Sequence, residues 1–166
     1  SVGSCESLLG ENVPCPAYLS LVAAAREKFD FISITVHNSV SQYAANLVLQ
    51  NYFDSVLIVP GREVTTFFGH ANVFGSTEFI DCRLQAGSGK NATFLHDQID
   101  KLGALMSINH PGSPSGEDCM GCGWVLEDTD YTKITAIEIV NVGYVNMPIG
   151  KAHIDFWEQK LNEGYN

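Results

Sequence analysis

Three short apolar runs in this chain each stop at, or just before, a side chain able to ligate a metal. They are Phe31-Ile32-Ser33-Ile34-Thr35 leading to His37, Ser55-Val56-Leu57-Ile58-Val59 leading to Pro60-Gly61-Arg62-Glu63, and Ala104-Leu105-Met106-Ser107-Ile108 leading to Asn109-His110. Continuous runs rich in β-branched residues are the pattern of buried parallel strands, and the C-terminal rim of such a sheet or barrel is where active sites collect. Imidazole, carboxylate and imidazole on one rim form the donor set of a metal site suited to hydrolysis.

The runs alternate with helical patterns. A helix is predicted from about Ala17, with Leu19, Val22, Ala23 and Ala25 at helical spacing and charges gathered towards Lys28. A second is predicted over roughly Val40 to Tyr52 with Tyr43, Leu47 and Val48 on one face, a third from Thr93 to Leu102, and a last from Lys151 to Glu163. Strand, helix, strand is the βαβ unit of a parallel sheet. Residues 64–83, with turns marked by Gly69 and Gly75, read as a β-excursion, and Thr135 to Val140 as a fourth strand. The expected fold is α/β, a (β/α) barrel or an open α/β sheet in one domain over residues 1–166. The chain holds too few units to close an eight-stranded barrel, and reads as the central portion of a domain.

Composition narrows the partners. Nine basic against nineteen acidic residues give a formal charge of −10, which leaves no basic stripe to neutralise phosphates. Nucleic acid and anionic membranes are therefore not expected as partners, and a small-molecule substrate is. No apolar stretch reaches the roughly 20 residues that span a bilayer. Compartment is left open: the cysteines are compatible with a periplasmic or secreted protein, and a cytoplasmic one is not excluded.

The metal candidates are His37, Glu63, His70 and His110, and the catalytic candidates are Glu63, His110 and Asn109, the last as a group to orient water or substrate. Each has a plainer reading. His37 could be a hydrogen-bonded strand-end histidine, Glu63 a simple ion-pair partner of Arg62, and His70 a solvent-facing turn residue. Pro111 is expected to hold His110 in an extended conformation and so fix its aim. His96 and His153, placed on helices away from the rim, are expected at the surface.

Five cysteines make an odd count. A disulfide between Cys5 and Cys15 is geometrically allowed in an oxidising compartment. Cys119-Met120-Gly121-Cys122 lacks the second CxxC of a four-cysteine zinc site and does not open a helix after a strand, so a local disulfide or loop staple is preferred, with Cys82 as another partner. A cysteine-based redox protein centred on this pair is the least favoured function.

Taken together, Phe31 to Asn38, Val59-Pro-Gly-Arg-Glu63-Val-Thr-Thr66, Gly69-His70-Ala-Asn-Val-Phe-Gly75 and Ser107-Ile-Asn-His110-Pro111 resemble the PHP (polymerase and histidinol phosphatase) superfamily. The nearest branch is the CehA/McbA-type metallohydrolases, whose pattern also includes the Gly116 to Trp124 loop and the strand end at Glu138 to Asn141. The resemblance implies a distorted (β/α)7 barrel, incomplete in this chain, with two or three divalent metal ions, zinc, manganese or iron. It places His37, Glu63, His70 and His110 on ligand positions, with Glu63 as the bridging carboxylate. It further implies hydrolysis of a phosphoester, carboxylic ester or carbamate by metal-activated water. The family's His-x-His and Asp-x-His motifs are not found in these residues, and Val36 stands where the family has Asp. Loss of such an orienting contact costs about 10- to 100-fold in metal affinity or activity. The alternative reading is a noncatalytic PHP-like binding or structural domain that has lost part of its metal site.

Overall fold

Pro60 has no N–H to give to a ladder, and the second apolar run breaks there into two strands. The computed structural model describes residues 4–117, 119–141 and 148–165; Asp118, within the quoted loop motif, lies outside them. The strands are β1 (Ser4–Glu6), β2 (Asn12–Pro14), β3 (Phe31–Ser33), β4 (Val36–His37), β5 (Leu57–Val59), β6 (Gly61–Thr65), β7 (His70–Phe74), β8 (Leu105–Asn109) and β9 (Ala136–Ile137). The helices are α1 (Tyr18–Arg26), α2 (Gln42–Gln50), α3 (Ala92–Lys101) and α4 (Pro148–Asn162). β1 and β2 form an antiparallel ribbon beside the Cys5–Cys15 disulfide.

β3 pairs with β5 and β4 with β6, both parallel, and every partner pair keeps an offset of 26 residues, from Phe31 with Leu57 to His37 with Glu63. They are one parallel βαβ pair interrupted at Pro60, with α2 as the crossover. The larger sheet runs β4-β6-β7-β8-β9. The β-excursion enters it as β7, which is antiparallel to both β6 and β8, and β9 then pairs parallel with β8. The described residues thus form an open mixed α/β sheet, and no closed (β/α)7 barrel is present among them.

Side chains alternate across a strand, so the register sorts the sheet into two faces. One face carries Val64, Ala71, Val73, Met106 and Ile108, packed with Leu95 and Ile99 of α3 and with Trp124. On the other, His37 pairs with Glu63, Glu63 with Asn72, Thr65 with His70, and His70 with Asn109. The polar residues therefore share a face because the apolar ones occupy its reverse.

Several expectations are corrected. Glu63 lies mid-strand in β6 rather than past a strand end. On α2 the buried residues are Gln42, Tyr43 and Asn46, while Leu47 and Val48 are exposed; Gln42 Nε2 reaches in to donate to the Gly61 carbonyl, which turns the polar side inward. The fourth strand shortens to Ala136–Ile137.

His96 and His153 are not surface residues: they are 2% and 0% exposed. Ala92, Leu95, His96 and Ile99 are the buried face of α3, a helical stripe legible in the sequence. His153 Nδ1 accepts the Gly112 N–H at 3.0 Å. A Cβ on Gly112 would sit 2.5 Å from the Ala152 backbone, so α4 packs directly on the turn that follows His110.

Neither ring nitrogen of His96 finds a hydrogen-bond partner among the described residues. Burial, followed by the charge of Lys133, holds its pKa below the ordinary 6.5, against the opposing pull of Asp130, Asp100 and Asp128. The unfolded chain accordingly takes up a proton near pH 6.5 that the folded chain resists, and His96 makes stability fall as pH drops below that value. His96→Leu is expected to raise stability by about 1–2 kcal/mol, since it removes an unsatisfied buried polar group. It should also flatten the decline between pH 7.5 and 5.5 in denaturant titrations; an unchanged slope would count against it.

Candidate metal centre

Glu63 and Arg62 are neighbours in β6 and point to opposite faces, which removes the simple ion pair between them. Arg62, 3% exposed, donates to the backbone carbonyls of Glu78 and, at 3.5 Å, Thr77, with the Tyr43 hydroxyl 3.4 Å away. A buried guanidinium satisfied by carbonyls is a structural element on the core side. Glu63 is left to the polar face.

There it meets three imidazoles. His37 Nε2 lies 3.4 Å from Glu63 Oε2, His70 Nδ1 lies 3.4 Å from Oε1, and His110 Nε2 lies 3.8 Å from Oε1. His70 Nδ1 and His110 Nε2 are 3.1 Å apart. The four candidates from separate segments converge, and Asn109, 3% exposed, lies beside Glu63 while its Oδ1 accepts the Asn72 N–H.

The outer contacts assign the ring tautomers. His70 Nε2 is 3.0 Å from the Met120 carbonyl, which can only accept, so the proton sits on Nε2 and Nδ1 turns a lone pair inward. His110 Nδ1 is 3.0 Å from Glu138 Oε2, so a proton sits there, and Nε2 is turned inward to within 3.1 Å of His70 Nδ1. Glu63 Oε1 is buried and receives no well-directed hydrogen bond. Two ring nitrogens and a carboxylate oxygen therefore face one another at 3.1, 3.4 and 3.8 Å. Ligands about 2.0–2.1 Å from a tetrahedral zinc stand about 3.3 Å apart, so this donor set fits a divalent cation.

Burial, the largest single influence on Glu63, pushes its pKa up, but His70, Asn109 and the charges of His37 and His110 outweigh it and the net shift is downward. Glu138 behaves alike: burial raises it, while hydrogen bonds from the His110 ring and backbone, the His110 charge and Asn141 prevail and lower it. Both carboxylates are held in the form a cation needs.

His110 departs from expectation. Its φ is +29°, outside the extended region that a following proline favours. Glu138 Oε2 accepts from its backbone N at 2.6 Å as well as from its ring, and these two bonds hold the residue in a conformation that costs about 1–3 kcal/mol. Glu138 was not among the sequence candidates, although a carboxylate one residue past a parallel strand was the available signal. Thr65 was also missed. Its Oγ1 lies 2.6 Å from His37 Nδ1 and supplies the orienting contact that Val36 cannot. Asn38 continues the β4–β6 pairing through its side chain, accepting from Thr65 N at 2.9 Å and donating to Thr65 O at 2.8 Å. His37 is half exposed, and the cluster opens to solvent on its side.

The cysteine loop is the remaining wall. Cys119 and Cys122 are joined, Cys82 is free, and one donor atom each from His70, His110, Cys119 and Cys122 lies within 4.8 Å of the other three. Gly121, at φ +78°, passes so close to the Thr66 carbonyl that a Cβ would sit 1.9 Å from it, and this presses the loop against the β6–β7 turn.

No family model matches the chain, and no curated protein does. A solved two-domain protein from Bacteroides vulgatus, described as containing a predicted PHP-like metal-dependent phosphoesterase, superposes with a TM-score of 0.44 at 22% identity, over 64% of this chain and 33% of that one. The chain thus spans about a third of that protein's length.

Proposed function

We propose that this chain carries a metal-dependent hydrolase site, with His37, Glu63, His70 and His110 as ligands of a divalent cation, zinc, manganese or iron. The observation behind it is the buried Glu63 Oε1 lying 3.4 Å from His70 Nδ1 and 3.8 Å from His110 Nε2, with those two ring nitrogens 3.1 Å apart. A bound divalent cation supplies acidification of a water to near-neutral pKa and polarisation of a phosphoryl or carbonyl oxygen.

The protein's own groups do the rest. Glu63, kept ionised, carries negative charge between the imidazoles and is the candidate bridge where two ions are held. Glu138 and the Met120 carbonyl fix the tautomers of His110 and His70, and Thr65 orients His37. Asn109 acts through Glu63 as a positioning residue, since it is buried against it. A cavity of about 410 Å³ lined by Asn38, Thr65, Phe67, Leu84 and Met120 shares Thr65 and Met120 with the groups that hold His37 and His70, and is the place for a small-molecule substrate. The substrate class is a phosphoester, carboxylic ester or carbamate, and the scaffold reading is an incomplete (β/α)7 barrel of the PHP type.

The test is metal removal. Protein incubated with zinc or manganese and desalted is expected to retain ion by elemental analysis and to hydrolyse a chromogenic phosphate, aryl ester or carbamate. Chelator should abolish both, and re-addition restore them. Protein that retains no ion and hydrolyses none of the three would overturn the proposal.

A further inference from the structure

The cysteine sulfurs take no part in the hydrolytic reading beyond closing the loop that carries Met120, yet they lie beside two of its imidazoles. We infer that Cys119 and Cys122 are redox-controlled zinc ligands which, once reduced, join His70 and His110 in a closed four-ligand site. The inference rests on the proposed role of His70 and His110 as ligands.

Its geometric basis is that one donor atom from each of the four residues lies within 4.8 Å of the others, close to the spacing of donors around a tetrahedral ion. His70 Nε2 bonds to Met120 O, between the two cysteines, and Gly121 is pressed onto Thr66 O, so the loop is held over the imidazoles. In the disulfide form the sulfurs are bonded to each other and make poor donors. Reduction by an external dithiol moves two electrons and two protons onto the S–S bond, giving two thiols, while the dithiol becomes its own disulfide. Zinc binding then displaces the two thiol protons to solvent.

Two thiolates and two imidazoles are the donor set of a closed zinc site, whereas hydrolysis needs a position open to water. The oxidised form is therefore the open centre and the reduced form the closed one. Soft thiolates also favour zinc over manganese in the reduced state.

Cobalt(II) serves as the spectroscopic stand-in for zinc. Reduced protein with one equivalent of cobalt is expected to show sulfur-to-cobalt charge-transfer absorption, and disulfide-bonded protein to show none. Zinc affinity should rise on reduction by more than the about 100-fold that outer contacts reach, because two direct ligands are added. Cys119→Ser/Cys122→Ser, which leaves Cys5, Cys15 and Cys82 in place, should show neither the band nor the rise; a band that persists there, or is missing from reduced wild type, overturns the inference. The two proposals separate cleanly. Metal retention and hydrolysis by the oxidised protein without a band in the reduced one leaves the hydrolase standing alone. A band in the reduced protein, with no metal or activity in the oxidised one, leaves the thiol site standing alone.

Discussion

Glu63→Gln is expected to lower zinc affinity by at least about 100-fold and to reduce hydrolysis to background, because even outer contacts to ligands are worth about 10- to 100-fold and Glu63 is placed as a direct donor. The amide keeps the shape of the side chain and removes its charge from among His37, His70 and His110. Unfolding reports the same loss independently. At a zinc concentration about 100 times its dissociation constant, the folded wild type should gain about 2.7 kcal/mol, and the variant almost nothing. Equilibrium dialysis and denaturant titration with and without zinc make the measurement. Equal zinc-dependent gains in both proteins would place Glu63 outside any cation site. So would Glu63→Ala if it left stability unchanged or raised it alike in metal and in chelator, the behaviour of a noncatalytic domain.

Glu138→Ala should weaken zinc binding by about 10- to 100-fold without touching the ion, through the freed tautomer and orientation of His110. It deletes both bonds that hold His110 at φ +29°, and hydrogen bonds to a charged acceptor are worth about 1.5–3 kcal/mol each. Relaxation of the strained backbone offsets part of this, so a net destabilisation of about 2–3 kcal/mol is expected in the metal-free protein. Glu138→Gln keeps one acceptor oxygen and should fall between. Zinc affinity unchanged in Glu138→Ala would remove Glu138 from the site.

The sites that sequence reading missed have a common cause. Glu138 meets His110 across 28 residues and Thr65 meets His37 across 28, so neither partner lies in any local window. The aim of His110 was misjudged because Pro111 is only a local preference and two bonds from β9's end override it. His96 was a different kind of miss: Ala92, Leu95 and Ile99 frame it at helical spacing, and residue type was weighed above periodicity. On α2 the error ran the other way, since periodic Leu47 and Val48 face out while Gln42 turns in to the Gly61 carbonyl.

Apolar runs of strand type were enough to pair the first two runs in parallel, and His37, Glu63, His70 and His110 stood out as candidates at their ends, with the resemblance placing them on ligand positions. Whether those side chains meet depends on register, and one residue of slip would turn Glu63 to the core and Arg62 to the polar face. The pairing of β7 with β8, the open sheet among the described residues, the ring orientations set by Glu138 and Met120, and the reach of the Cys119–Cys122 loop all arise from contacts between distant segments. Folding alone brings these segments together, and no short stretch of the chain encodes them.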